Sequence, residues 1–284
     1  MTLIAVSLLL ISAFLHTTWN YLLKQANEKF VATWWSLLLG SSVLLPALFF
    51  TGLPAREIWF LLLLSVVFEV GYYVLLSTAY RDLDFSMVYP IARGTAPAIV
   101  AIVSVTIFGE KISSFGYAGL AIIIGGLMIV GGSNLVSSKR EKPGLNGIVI
   151  AFALSFLIAM YTLIDGNAVK KTSPFPYAVL IFFLAPVFMS PVVLKKYGWG
   201  MLKTELTAHW VRILSIGFLM VGAYILVLTA YVLSPISYAS AIREVSVILG
   251  AFEGWKFLGE KFGKWRLTGS ILIFSGIIVI AIFG

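Results

Sequence analysis

The stretch Gly71-Tyr72-Tyr73-Val74-Leu75-Leu76-Ser77-Thr78-Ala79-Tyr80 returns 151 residues later as Gly222-Ala223-Tyr224-Ile225-Leu226-Val227-Leu228-Thr229-Ala230-Tyr231, with six of the ten positions identical. Gly109-Glu110-Lys111 likewise recurs as Gly259-Glu260-Lys261 at an offset of 150. Self-similarity at a nearly fixed offset indicates an internal repeat. The 284-residue chain is therefore predicted to consist of two halves, residues 1–133 and 146–284, joined by a loop at 134–145.

The composition predicts that both halves lie in a membrane. Hydrophobic residues make up 60% of the chain and charged residues 11%, against about 25% charged residues in a soluble domain. The mean hydropathy is +1.02. About 20 apolar residues cross the hydrocarbon core of a bilayer. Ten such segments predict an all-α polytopic protein with transmembrane helices at about 2–23, 31–52, 58–80, 85–108, 114–132, 146–168, 176–194, 210–233, 236–257 and 265–283.

The number of predicted spans sets the relation between the halves. Each half has five spans, an odd number, so the second half enters the membrane in the opposite orientation. In transporters built this way, the substrate site lies near the bilayer midplane where the inverted repeats meet. Loops and helix ends after odd-numbered spans hold fourteen lysines and arginines, and the other loops hold four. The positive-inside rule places the richer side in the cytoplasm and both termini outside.

Several features together resemble the drug/metabolite transporter superfamily, specifically the EamA-type carriers. They are the ten spans in two halves, the repeated Gly-Glu-Lys, the run His16–Lys24 and its counterpart Tyr161–Gly166. The resemblance covers essentially the whole chain. It implies a bundle in the inner membrane of the cell that works by alternating access, with spans one, three, four, six, eight and nine around a central cavity and spans five and ten outside. Many relatives keep both termini in the cytoplasm, which leaves the orientation open. The His-xx-Trp-Asn start is most similar to a subgroup associated with phosphonate utilisation.

Ionisable and aromatic residues are concentrated in the predicted cavity spans. A charge in the hydrocarbon core costs at least about 2.5–3.5 kcal/mol, so it usually faces a partner or a water-filled cavity. Arginine suits an anionic ligand because its planar fork can bind two oxygens at once. The candidate substrate-binding residues are Arg93, Arg243, Trp19, Asn20, Tyr73, Tyr89, Tyr161, Asp165 and Tyr224. The candidates for ion coupling or counter-ion roles are Glu69, Asp165, Glu244 and His16.

Two of these candidates, Arg93 and Arg243, occupy equivalent positions in the two halves. Arg93 lies between two prolines in the stretch Tyr89–Pro97, whereas Arg243 has no proline nearby. Proline removes a backbone donor, so a helix break is predicted in the first half only. Replacing Arg93 with alanine is predicted to abolish substrate binding and leave a folded protein. Alternatively, the arginines pair permanently with carboxylates and only hold helices together; the available carboxylates are Glu69, Asp165 and Glu244.

These features predict a secondary active transporter for a small zwitterionic or anionic metabolite, such as an amino acid or an aminophosphonate. A flippase for a lipid-linked headgroup is the alternative. An intramembrane enzyme is disfavoured because the sequence lacks cysteine and the motifs His-Glu-xx-His and Gly-x-Ser-x-Gly. No nucleotide-binding loop, catalytic residue, metal site or cofactor is predicted. The expected partners are a small-molecule substrate, the bilayer and protons taken up at Glu69 or Asp165, without nucleic acid, in a monomer or weak dimer.

Overall fold

A computed structural model describes the backbone of residues 1–82, 85–137, 145–258 and 264–284. Side chains at 77–82, 85–91, 131–137, 145–146, 148, 250–251, 253–255, 257–258 and 266 lie outside the description. All regular elements of the described part are helical. They are α1 (Leu3–Lys24), α2 (Lys29–Leu44), α3 (Leu48–Thr51), α4 (Trp59–Asp82), α5 (Phe85–Thr106), α6 (Ser114–Ser137), α7 (Leu145–Ala168), α8 (Pro174–Leu233), α9 (Ile236–Arg243), α10 (Val245–Leu258) and α11 (Lys264–Phe283), with 3₁₀ turns at Leu45–Ala47 and Arg56–Ile58.

Several of these helices are suited to a bilayer. Within the described ranges, five helical stretches are long and apolar enough to cross a membrane: Leu3–Lys24, Lys29–Thr51, Arg56–Leu76, Val149–Ala168 and Pro174–Leu233. Three shorter apolar helices cover Ala92–Thr106, Ser114–Val130 and Leu267–Phe283. Large apolar side chains cover the outside, for example Phe49 and Phe50 at 92% exposure. A soluble monomer rarely exposes so much apolar surface, so the fold is that of a polytopic membrane protein.

Helix α8 is too long for a single crossing. Its 60 residues would extend about 90 Å at 1.5 Å per residue, three times the hydrocarbon thickness. The backbone leaves helical geometry at Gly198, where φ is +70°, and again at His209. These two points divide α8 into two long arms, 174–197 and 210–233, with a short helix at 199–208 between them. The predicted spans 176–194 and 210–233 left 195–209 as a connection, but most of that segment is helical.

The structure has no helix break at the predicted place in the first half, but it has a short interruption in the second half. Helix α5 runs without interruption through Pro90 and Pro97. The second half instead has a one-residue interruption at Glu244, between α9 and α10, where φ is −70° and ψ is 0°. Prolines are tolerated in membrane helices when neighbouring groups satisfy the freed carbonyls. Ser155 of α7 donates a hydrogen bond to the carbonyl of Ala92 in α5 at 3.1 Å, which connects this part of α5 to a neighbouring helix.

Glycines set the closest helix contacts. A β-carbon added at Gly126 of α6 would lie 2.7 Å from the carbonyl oxygen of Gly269 in α11. One added at Gly119 would lie 3.0 Å from the carbonyl oxygen of Gly276. The four positions therefore bring α6 and α11 together as antiparallel helices with touching backbones. Small residues permit this approach where lipid supplies no hydrophobic drive for association.

The bundle has two ends, which we call the terminal end and the mouth end. The terminal end holds the chain termini, and the ammonium of Met1 donates to the carbonyl of Gly284 at 3.1 Å. At this end Glu110 accepts hydrogen bonds from the first backbone N–H groups of α9, at Ile236 (2.6 Å) and Ser237 (3.1 Å). The mouth end holds the α1–α2 connection at 25–28 and the short helix of α8.

Candidate functional site

A cavity of about 510 Å³ runs from the middle of the bundle to the mouth end. This volume lies within the range of small-molecule sites, about 300–1,000 Å³. Helices α1, α4, α5, α7, α8 and α9 surround the inner part, and the start of α2 contributes to the mouth. Helices α6 and α11 contribute no described side chain to the lining. This arrangement agrees with the cavity spans that the family resemblance implied, except that the first arm of α8, the predicted span seven, also contributes Phe182. The inner lining consists of Ser12, His16, Trp19, Asn20, Glu69, Tyr72, Tyr73, Leu76, Arg93, Tyr161, Phe182, Met220, Ala223, Tyr224 and Arg243.

Arg93 already has protein partners in the cavity wall. Its Nε lies 3.3 Å from a carboxylate oxygen of Glu244, and its Nη2 lies 3.1 Å from Nε2 of His16. Only 3% of Arg93 and 3% of Glu244 is exposed. Because a guanidinium only donates, Nε2 of His16 accepts and the proton of the neutral ring is on Nδ1. Arg93, Glu244 and His16 therefore form a hydrogen-bonded and ion-paired group that joins α5, α1 and the α9–α10 junction.

Arg243 faces the same cavity in a different environment. It is half-buried, and no carboxylate lies within 4 Å of it in the part of the chain that the structure describes. Its guanidinium carbon lies 6.0 Å from the ring centroid of Tyr224, a cation–π distance. The neighbouring Glu244 pairs with Arg93 instead, because consecutive side chains on a helix point about 100° apart. Of the two arginines in the inner lining, Arg243 is therefore the one without a carboxylate partner among the described residues.

Tyrosines form an aromatic wall beside the two arginines. The ring of Tyr72 lies 5.4 Å from that of Tyr73 and 6.1 Å from that of Tyr161, both edge-to-face. Glu69, one helical turn before these residues on α4, also lines the cavity and is 3% exposed. Its Oε2 has no hydrogen-bond donor among the described residues. Sequence analysis predicted cavity positions for Tyr73, Tyr161 and Glu69, and it did not include Tyr72.

Asp165 lies behind this wall rather than in the cavity. It is fully buried and accepts hydrogen bonds from Tyr177, at 2.7 Å, and from Tyr224. Tyr224 itself lines the cavity, so Asp165 reaches the cavity through that hydroxyl. The structure thus brings Asp165 close to the candidate residues but separates it from direct contact with a cavity ligand. Sequence analysis did not predict Tyr177, whose position becomes evident only when α7 and α8 are packed.

The remaining predicted residues divide into two groups. Trp19 and Asn20 line the cavity on α1. The ring of Trp19 lies 4.9 Å from that of His16, and the amide nitrogen of Asn20 donates to the backbone carbonyl of His16 at 2.8 Å. This leaves the amide oxygen of Asn20 as its acceptor toward the cavity. Tyr89 lies on α5, but its side chain is outside the described residues.

The mouth of the cavity is basic, a feature that the search for intramembrane charges missed. It is lined by three lysines, Lys24, Lys29 and Lys196, with a single carboxylate, Glu28, among its lining residues. The ammonium of Lys196 lies 5.0 Å from the ring centroid of Tyr197. These residues lie at span ends, where sequence alone does not distinguish a cavity mouth from an ordinary interfacial anchor.

Comparison with known proteins agrees with this architecture. The profile of the EamA-like transporter family matches residues 3–132 and 145–282. A curated relative, "Multidrug resistance protein EbrB" of Bacillus atrophaeus, is 30% identical over 70 residues, which are 25% of this chain and 60% of that protein. A solved structure titled "Crystal structure of protein" has a TM-score of 0.77 at 15% identity, covering 99% of this chain and 98% of its own. At that identity the likeness concerns the fold alone.

The family match extends over nearly all of the chain and agrees with the helical architecture and the apolar outer surface. It also agrees with the resemblance to the drug/metabolite transporter superfamily that the sequence motifs suggested. The family is one of membrane transporters, so the expected partners are a small-molecule substrate and a lipid bilayer. The chain belongs to the EamA-like transporter family and is a multi-pass membrane protein.

Proposed function

We propose that this chain is a secondary active transporter for a small zwitterionic or anionic metabolite, such as an amino acid or an aminophosphonate. The observation that carries the proposal is Arg243. It is a half-buried guanidinium in the cavity wall, without a carboxylate within 4 Å in the described part of the chain. A charge in this setting requires a counter-charge or water, and a substrate carboxylate or phosphonate provides both charge and matching oxygens.

The proposed mechanism is alternating access between two inverted five-helix repeats, residues 1–133 and 146–284, in the inner membrane. Support comes from the α6–α11 contact. Gly119 and Gly269 are equivalent positions of the two halves, as are Gly126 and Gly276. Gly119 approaches Gly276 while Gly126 approaches Gly269, which is the reciprocal pattern that a pseudo-two-fold axis produces. The described conformation is then one end state, open at the mouth and held closed at the terminal end by Glu110.

The flippase alternative would need an opening toward lipid, lined by apolar residues beside the arginines. The cavity instead extends from the arginines to the lysine-bearing ends of α1 and α8, which favours a water-soluble substrate. No nucleotide-binding loop occurs in the sequence, so a gradient is the proposed energy source. Protons are the proposed coupling ion.

The test measures which ligands bind to the purified chain. A panel of amino acids, phosphonates, nucleosides and quaternary amines is screened by thermal stabilisation, and the affinity of each hit is then measured by calorimetry. We expect at least one zwitterion or anion to bind. Arg243→Ala should weaken its binding by at least about tenfold, since a hydrogen bond to a charged group contributes roughly 1.5–3 kcal/mol. The matched control is Arg56→Ala, at an exposed position outside the cavity. Unchanged affinity in Arg243→Ala, or binding confined to quaternary amines, contradicts the proposal.

A further inference from the structure

Glu69 and Tyr224 give the cavity a chemistry that Arg243 lacks. Resting on the proposed function, we propose that Glu69 and Tyr224 form an ammonium-binding subsite, with Asp165 as the residue that positions Tyr224. The substrate class is thereby narrowed from zwitterion or anion to a compact zwitterion with a primary ammonium. Its anionic group lies at Arg243, and its ammonium lies at Glu69.

The first observation is the unsatisfied carboxylate of Glu69. The residue lines the cavity and is 97% buried, and its Oε2 receives no hydrogen bond from the described residues. An isolated buried carboxylate is unfavourable by several kcal/mol unless a donor or cation compensates it. Arg93 is engaged by Glu244 at 3.3 Å. Among the described residues Glu69 has no hydrogen-bond donor at Oε2 and no basic group within 4 Å, and a ligand ammonium, with three donors, supplies both.

The second observation is the hydrogen-bond direction at Tyr224. An ionised carboxylate only accepts, and Asp165 receives the hydroxyl protons of Tyr177 (2.7 Å) and Tyr224. A tyrosine hydroxyl has one proton. Once it is donated to Asp165, the Tyr224 oxygen offers only lone pairs to the cavity. Tyr224 is thus an acceptor for the ligand, and Asp165 fixes that direction without touching the ligand.

Arg243 and the pair Glu69 and Tyr224 are opposite in their hydrogen-bonding character. Arg243 has five N–H donors and no acceptor, whereas Glu69 and Tyr224 present acceptors. The guanidinium carbon of Arg243 lies 6.0 Å from the Tyr224 ring centroid. The anion-binding guanidinium therefore lies beside the Tyr224 ring, and one compact ligand can contact both residues. A simple anion of the same size satisfies Arg243 but leaves Glu69 unpaired.

The experiment compares ligands that differ only by an ammonium and a hydroxyl. The probes are L-alanine with L-lactate, and 2-aminoethylphosphonate with 2-hydroxyethylphosphonate, titrated calorimetrically into the purified full-length chain. We expect the wild type to bind the amino member of at least one pair at least about tenfold more tightly, the effect of one hydrogen bond to a charged group. Glu69→Gln should reduce that preference to near unity, mainly by weakening the amino member. The exposed control Glu57→Gln should keep it.

Substitutions at Asp165 and Tyr224 test separately whether Asp165 positions Tyr224. Asp165→Asn and Tyr224→Phe should both reduce the amino preference. In Asp165→Asn one carboxylate oxygen becomes an N–H donor, so Tyr177 and Tyr224 no longer both donate to position 165. A Tyr224 hydroxyl proton released in this way is donated to the ligand, so the hydroxy member should bind more tightly than in the wild type. A purely structural role for Asp165 would weaken both members of a pair alike, which overturns the positioning proposal. Thermal melting of each variant shows whether it is folded. If Glu69→Gln or Asp165→Asn does not fold, Tyr224→Phe still tests the proposed subsite.

The outcomes separate this proposal from the one on which it rests. If the wild type binds both members of a pair equally, or if Glu69→Gln keeps the amino preference, the ammonium subsite is wrong. The proposed transport of anions through Arg243 then stands. If no probe and no other zwitterion or anion binds the wild type, the proposed function itself is wrong. A preference for the amino member that is lost in Glu69→Gln supports both the ammonium subsite and the proposed function.

Discussion

The two intramembrane arginines lie in equivalent sequence positions, yet their surroundings differ. Arg93 has an ion-pair partner and a histidine acceptor in the protein, whereas Arg243 faces the cavity with an aromatic neighbour. Sequence analysis assigned the first role in substrate binding to Arg93. The contacts favour Arg243 for that role and favour helix association for Arg93. Equivalence in sequence therefore does not imply equivalent surroundings here.

Arg93→Ala tests this division at the residue scale. Removing the guanidinium leaves Glu244 buried without its cation, so we expect a loss of about 3–5 kcal/mol in stability, as for a broken buried pair. The double variant Arg93→Ala/Glu244→Gln should recover most of the loss, because no uncompensated charge remains. Denaturant unfolding in mild detergent measures both. A wild-type stability for Arg93→Ala, with binding abolished, would support the original expectation that Arg93 is only a ligand residue.

The candidate residues show what sequence can predict about a membrane site. Intramembrane charges cost enough free energy that their presence alone indicated the cavity helices, and Arg243, Glu69, Tyr73 and Tyr161 indeed line one cavity. The pairing of Arg93 with Glu244 was only one of several open alternatives. Pairing depends on the rotation of each helix about its axis and on the interruption at Glu244, neither of which apolar run lengths determine. For the same reason Asp165 was predicted in the cavity and lies behind it.

At the scale of elements, Glu110 links the end of α5 to the start of α9. Its carboxylate accepts from two of the N–H groups that a helix leaves unpaired at its beginning, and its negative charge suits the positive end of the helix dipole. The preceding Gly109 has φ of +64°, a conformation that favours glycine. The carboxylate of this repeated Gly-Glu-Lys motif therefore connects the two halves of the chain.

Glu110→Gln should weaken this connection by about 1 kcal/mol, within the range for loss of a helix cap. We expect a lower melting temperature in detergent and faster reaction of a cysteine placed at Ser237 with a small thiol reagent. The chain has no natural cysteine, so the signal is unambiguous. Glu57→Gln, at an exposed position of the same end, is the control. Equal labelling rates in the two variants would contradict a closing role for Glu110.

Neighbouring glycines on α6 offer a matched pair of substitutions. A β-carbon at Gly126 would contact the backbone of α11 at 2.7 Å, while one at Gly125 meets nothing within 4 Å. Gly125→Ala should be neutral or stabilising by up to about 1 kcal/mol through helix propensity. Gly126→Ala should lose about 1–3 kcal/mol through overpacking. Thermal unfolding compares them, and similar stabilities would mean that α6 and α11 do not touch at this point.

The sequence predicted the long helices well, but it predicted the breaks and the short helix poorly. Apolar runs of about 20 residues correctly predicted the long helices, because the hydrocarbon core of a bilayer permits few other backbone structures. The break predicted near the prolines of α5 was wrong, since a helix packed among neighbours tolerates proline. The helical segment at 199–208 was missed because its polar residues resemble a loop. Its buried face, which includes Leu202 and Glu205, exists only against the rest of the bundle.

At the scale of the whole molecule, the orientation in the membrane remains a prediction from lysine and arginine counts. Thr51→Cys and Thr204→Cys place single exposed thiols at the terminal end and the mouth end. With the lysine-rich side in the cytoplasm, a membrane-impermeant maleimide should label Thr51→Cys in intact cells and Thr204→Cys only after permeabilisation. The reverse pattern would place the mouth outside and both termini in the cytoplasm, as in many relatives.

The lysines at the mouth also affect how fast different solutes arrive. Lys24, Lys29 and Lys196 create a positive field at the entrance, and such a field accelerates the capture of anions in a way that salt suppresses. At physiological ionic strength it extends only about 8 Å. A zwitterion with no net charge interacts with this field only through its dipole moment, which is a weaker interaction. Entry therefore favours anions while the proposed inner site favours zwitterions, so association rates should fall with added salt for anions and stay nearly constant for zwitterions.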